Sequence, residues 1–124
     1  MTIQNVLAFQ EIYPEIANIK LPFQTAYKLA KITQSLEQDY VFYQSSFNKI
    51  LEEYALKDDK GNYQLSDDGT SIKIDPNKVQ ECSEKIEELQ NISISDPVEF
   101  LSAQDLDGIN LTLTLMNKLM PFIR

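Results

Sequence analysis

With 124 residues, 43% of them apolar, the chain is long enough for one modest core and too apolar for wholesale disorder. Its net charge of −8 disfavours direct contact with nucleic acid or an anionic membrane surface, which both call for a basic face, and favours a basic protein patch. The absence of histidine removes the commonest general base and the commonest zinc ligand together.

No apolar run approaches the roughly 18 residues of a membrane span. The acidic opening MTIQNVLAFQEIYPEI lacks the basic flank of a secretory signal, so a cytosolic setting is expected. The lone Cys82 excludes an internal disulfide and fits the same compartment. Charge is unevenly placed. Residues 1–51 hold four acids and four bases, while residues 52–107 hold fifteen acids and five bases, a net of −10. Residues 108–124 carry only Lys118 and Arg124.

In chain order, residues 1–21 are expected to hold a short helix. Thr2 can cap it, Val6, Leu7, Phe9, Ile12 and Tyr13 supply apolar contacts, and Pro14 should end or kink it. Pro22 pushes Leu21 out of α geometry, which predicts a sharp corner. Residues 22–56 form the organising helix. Pro22 suits its start, and Ala26, Leu29, Thr33, Leu36, Tyr40, Tyr43, Phe47, Ile50 and Tyr54 recur at 3-4 spacing, breached once by Thr33. A helix of that span is roughly 50 Å long and must have its stripe covered.

Residues 57–74 predict a β-hairpin. Lys57-Asp58-Asp59-Lys60-Gly61-Asn62 is turn chemistry, residues 63–65 read as a strand, Gly69 suits a positive φ, and residues 71–74 alternate polar and apolar. Leu65, Ile72 and Ile74 would share one face. Residues 75–91 predict the return helix, with Asp75 as cap, Pro76 at the first position, and Val79, Cys82, Ile86 and Leu89 as its stripe. Residues 92–124 supply an extended segment, a helical turn begun by Ser102 and Asp105 and stopped by Gly108, and a last helix stopped by Pro121. The fold expected is a mainly α single domain. A long antiparallel helical hairpin carries a small β-hairpin inserted at its tip, and short terminal helices pack at the other end.

The chemical motifs read mostly as structure. The acidic loops at Asp58-Asp59 and Asp67-Asp68 lack the ligand spacing of an EF-hand and read as turns. Acid/base work needs two carboxylates in one cleft, whereas the pairs Glu52-Glu53 and Glu87-Glu88 are adjacent on a helix, point in different directions and read as a solvated polar face. Cys82 falls in phase with Val79 and Ile86, as a small core hydrophobe does. Val41 and Phe42 are out of phase with the long stripe; burial against the terminal segments is favoured, with a role as interface anchor the alternative. No catalytic residue, cofactor site or metal site is expected.

Three stretches carry a family resemblance. One is Leu21-Pro22-Phe23 with Tyr27-Lys28-Leu29-Ala30-Lys31, opening the long helix. The second is the residue 57–63 turn after Glu52-Glu53-Tyr54. The third is Leu106-Asp107-Gly108-Ile109 with Leu115 and Leu119-Met120-Pro121-Phe122-Ile123. Together they make most of the chain similar to a group of small helical proteins of tailed phages and prophages of low-GC bacteria. The resemblance implies a viral origin, an all-helical hairpin core and a place in the bacterial cytoplasm or the virion. It brings no catalytic signature.

The function expected is therefore non-enzymatic binding to a host or phage protein, in the manner of an acidic inhibitor of a host nucleic-acid enzyme (an anti-CRISPR or other anti-defence protein). The residues expected to touch the partner are Glu52, Glu53, Asp58, Asp59, Asp67, Asp68, Glu81, Glu84, Glu88 and Phe42. The alternative is a virion or assembly protein that forms a homo-oligomer through the 26–54 stripe.

Overall fold

The computed structural model describes all of residues 1–124. The chain is mainly helical: α1 (Ile3–Ala17), α2 (Phe23–Tyr54), α3 (Val79–Gln90) and α4 (Leu113–Leu119), with 3₁₀ turns at Ala103–Leu106 and Met120–Phe122. It divides into two compact units. Unit 1 comprises Met1–Val41 and Ser93–Arg124, unit 2 comprises Phe42–Ile92, and α2 contributes residues to each.

Unit 1 is built on the apolar face of α1. Val6, Phe9, Ile12 and Ile16 recur at helical spacing and share one buried cluster with Leu29, Ile32 and Leu36 of α2 and with Leu101, Leu115, Leu119 and Phe122. Each such side chain contributes about 1.5–3 kcal/mol by leaving water. At the start of α1 the Asn5 carboxamide reaches back and accepts from the Thr2 N–H at 2.9 Å. The helix runs through Pro14 rather than ending there. Pro14 faces solvent, and the further turn delivers Ile16 to the core, which offsets the lost backbone bond.

The stripe on α2 differs in register from the 3-4 reading. Thr25 and Ile32 are buried, whereas Ala26 is exposed and Thr33 only half-buried. The set Thr25, Leu29, Ile32, Leu36 and Tyr54 follows the 3.6-residue turn of a straight α-helix; the expected series kept the 3.5-residue period of a supercoil. Thr33 satisfies its hydroxyl by donating to the Leu29 carbonyl at 2.8 Å.

The C-terminal part of unit 1 is a chain of short capped pieces. Ser102 Oγ accepts from the Asp105 N–H at 3.2 Å, and Thr112 Oγ1 accepts from the Leu115 N–H at 3.2 Å to start α4. Leu101 N–H donates to the Phe122 carbonyl at 2.8 Å and Arg124 N–H to the Leu101 carbonyl at 2.7 Å, which holds the C-terminus in place. Ile94 N–H donates to the Met1 carbonyl at 3.0 Å and does the same for the N-terminus.

Unit 2 corrects the expected fold: the chain has no β-strand, so the β-hairpin of residues 57–74 is not formed. In its place stand isolated bridges, Ala55 with Ile74, Lys57 with Tyr63, and Leu65 with Ile72. The physical reason lies in the partners. Leu56 N–H donates to the Lys73 carbonyl, Gln64 N–H to the Leu56 carbonyl and Lys73 N–H to the Gln64 carbonyl. Three arms thus trade single bonds across two glycine turns, Gly61 at φ +82° and Gly69 at φ +73°, and no ladder extends. Nor is there a shared apolar face to hold two strands together, since Leu65 is 52% exposed.

The return helix also starts later than expected. The Asp75 carboxylate accepts from the Asn77 N–H at 3.0 Å and the Asp75 carbonyl from the Lys78 N–H at 2.9 Å, so Asp75 and Pro76 form a turn and α3 begins at Val79. Cys82 and Leu89 are buried, Ile86 is half-buried, and Val79 is left largely in solvent. Asp75 N–H donates to the Tyr54 carbonyl at 2.9 Å, which ties the approach to α3 to the end of α2.

Candidate functional site

All ten residues singled out for partner binding fall in unit 2, and all are exposed. The unit carries eleven acidic side chains against six basic ones, a net of −5. Phe42, for which burial is the favoured expectation, is instead 50% exposed: it lies outside the buried stripe of α2.

The carboxylates sort by what they already hold. Glu52 accepts from Lys57 Nζ at 2.7 Å and from the Tyr63 hydroxyl at 2.8 Å. Those bonds, Lys57 first, hold its carboxyl below the usual range, and they raise Lys57 and Tyr63 in return. Asp58 Oδ1 accepts from the Lys60 and Asn62 N–H groups, both at 2.9 Å, and closes the first turn. Asp68 Oδ1 does the same for the second, taking the Ser66 hydroxyl, the Thr70 N–H and the Thr70 hydroxyl. The Ser66 bond above all lowers its pKa to about 2.

Glu81 Oε1 accepts from the Tyr54 hydroxyl at 3.0 Å. Burial of the Tyr54 ring, then the Glu81 bond and the nearby Glu53, push that phenol up to about 12. Glu84 takes a long bond, 3.4 Å, from Gln80 Nε2. The carboxylates of Asp59, Asp67 and Glu88 hold no side-chain hydrogen bond or ion pair, and all three residues are exposed. No three of the Cys, Asp and Glu side chains converge tightly enough to hold a metal ion. Burial raises the pKa of the Cys82 thiol and keeps it protonated, the opposite of what a nucleophile needs.

Two features of unit 1 lay outside the sequence reading. A polar hollow of about 350 Å³ is lined in part by Thr25, Lys28, Ser102 and Asp105. Asp105 holds most of its hydrogen bonds. Its Oδ2 accepts from Lys28 Nζ at 2.8 Å, from the Ser102 N–H at 2.7 Å and from the Ser102 hydroxyl, while the Thr25 hydroxyl donates to the Asp105 carbonyl at 2.7 Å. Lys28 and the Ser102 bonds hold the Asp105 carboxyl below its ordinary value. Lys28 and Asp105 stand far apart in sequence, so no local signal could have paired them.

The second feature is an apolar hollow of about 300 Å³ whose lining includes Tyr13, Ile16, Ile19, Leu21, Phe23, Ala26 and Ala30. Phe23 is 96% exposed. Its signal in the sequence was its place outside the buried stripe, directly after Pro22. No helix of the chain is long and apolar enough to cross a membrane. No family model, curated protein or solved structure matches the chain.

Proposed function

We propose that the protein is a non-enzymatic binding factor of phage type that acts by laying the acidic surface of unit 2 against a basic protein surface. The observation that carries this reading is the set Asp59, Asp67 and Glu88. These carboxylates face water, serve no turn or cap, and stand in a unit of net charge −5. Phe42, half in solvent, supplies an apolar anchor in the same unit. The partner class is a host nucleic-acid enzyme, whose groove is built to attract phosphate and therefore attracts clustered carboxylates. Binding would occupy the groove and exclude the nucleic acid.

Capture from bacterial lysate on the tagged full chain tests this. Nucleic-acid enzymes should be retained at low salt, released by added DNA or RNA, and lost when Asp59, Asp67 and Glu88 are changed to Lys. Capture indifferent to those changes, or a lysate that yields no nucleic-acid enzyme, refutes the reading. The second reading, a virion or assembly protein, draws on the exposed apolar residues of unit 1 and requires the chain to be present in purified particles.

A further inference from the structure

We propose that the polar hollow of unit 1 is a binding site for a small zwitterion, a polar α-amino acid whose carboxylate is held by Lys28 and whose ammonium is held by Asp105 and Asp107. The hollow belongs to unit 1, so this site and the acidic surface of unit 2 are separate proposals. Its volume is about 350 Å³, and it lies where the first turn of α2 meets the loop that runs from Ser102 to Asp107. Small-molecule sites span roughly 300–1,000 Å³, and a hollow near the lower end suits a single small metabolite.

The shielded charge in its wall has bonding capacity left over. The Asp105 side chain is 9% exposed, yet its bonds from Lys28, the Ser102 N–H and the Ser102 hydroxyl all fall on Oδ2. Oδ1 takes none. No side-chain oxygen of the chain is both sealed from solvent and without a partner, so Oδ1 opens on the hollow that Asp105 lines. Lys28 gives one N–H to Asp105, and an ammonium has further donors for a second acceptor. Asp107, Gln24 and Gln104 line the same space, and their side chains are exposed and hold no bond within the chain. A purely cationic ligand would meet the Lys28 ammonium there, and a purely anionic one would meet both carboxylates. An apolar ligand would strip water from these groups and return no bond. A molecule with both charges answers each group in turn: its carboxylate accepts from Lys28, and its ammonium donates to Asp105 Oδ1 and to Asp107. The carboxamides of Gln24 and Gln104 each offer a donor and an acceptor, which suits a ligand side chain ending in a hydroxyl or a carboxamide.

Amide NMR spectra of the full chain, titrated separately with L-serine, L-asparagine and L-glutamine to about 10 mM, decide the matter, since a few charge-assisted bonds support millimolar affinity or better. At least one of the three should shift the amides of residues 23–28 and 102–108 in a saturable way. Glutaramate, which lacks the ammonium of glutamine, and 4-aminobutanamide, which lacks its carboxylate, should each bind at least about tenfold more weakly than glutamine. Asp107→Asn should weaken binding about tenfold and leave the rest of the spectrum in place, because that side chain is exposed and holds nothing in the fold. The proposal is overturned if none of the three amino acids shifts those amides, or if L-leucine binds as tightly as they do. It is equally overturned if either truncated analogue matches glutamine, if Asp107→Asn keeps full affinity, or if inorganic phosphate binds there and the amino acids do not.

Discussion

Replacing Asp105 by asparagine tests the one ion pair that is both shielded and multiply bonded. The Asp105 side chain is 9% exposed and that of Lys28 22%. The substitution keeps the size and one acceptor but deletes the charge that Lys28 and the Ser102 N–H and hydroxyl address. A hydrogen bond to a charged group contributes about 1.5–3 kcal/mol, and Lys28 recovers part of its loss by turning to water, so the net cost should be about 2 kcal/mol. Against a total stability of about 5–15 kcal/mol this is a readable fraction.

The sign with pH follows from the depressed carboxyl. A group whose folded pKa lies below its ordinary value, here 3.8, contributes its full stability above that value and loses it as pH falls through the folded pKa. Urea midpoints by circular dichroism should therefore separate wild type from Asp105→Asn at pH 7 and bring them together in acid well below pH 4. A gap that persists unchanged into acid, or none at neutral pH, refutes the assignment.

Other outcomes follow from burial. Phe9 lies inside the unit 1 core with its ring 5.0 Å from that of Phe122, so Phe9→Ala should cost about 3–5 kcal/mol. Phe23→Ala at low micromolar concentration should stay within about 0.5 kcal/mol in the same urea assay. The Cys82 thiol should resist labelling by an aromatic disulfide in the native protein and react within seconds in strong urea, since burial keeps it protonated and covered. In an ultraviolet titration, Tyr54→Phe should remove a phenol step near pH 12 and leave lower steps in place. Loss of a lower step instead would contradict its bond to Glu81.

Helices were legible because their signal is local. The apolar spacing of Val6, Phe9, Ile12 and Ile16, and the uninterrupted run after Pro22, mark α1 and α2 without knowledge of their partners. The phase of α2 was less so. Ala26 and Thr33 fit a seven-residue repeat as well as Thr25 and Ile32 fit a straight helix, and tertiary packing made the choice. Residues 57–74 failed for a different reason. Turn residues such as Gly61 and Gly69 announce reversals, but a strand exists only where successive residues keep one partner. Leu56, Gln64 and Lys73 each bond a different arm, a choice that no stretch of the sequence carries by itself.

The same locality limits what charge can say about the candidate site. The carboxylates of residues 52–88 look alike in sequence, yet the turn geometry divides them by task. Asp58 and Asp68 terminate loops through backbone N–H groups, Glu52 anchors Lys57 and Tyr63, and Glu81 holds Tyr54. Mutating these would disturb the unit before it informed on any partner. Asp59, Asp67 and Glu88 can be reversed without that penalty, which is why loss of capture on changing them would report on binding and not on folding. If reversing Asp58 and Asp68 abolished capture while reversing Asp59, Asp67 and Glu88 did not, the acidic surface would matter for loop shape alone, and charge attraction would be the wrong mechanism.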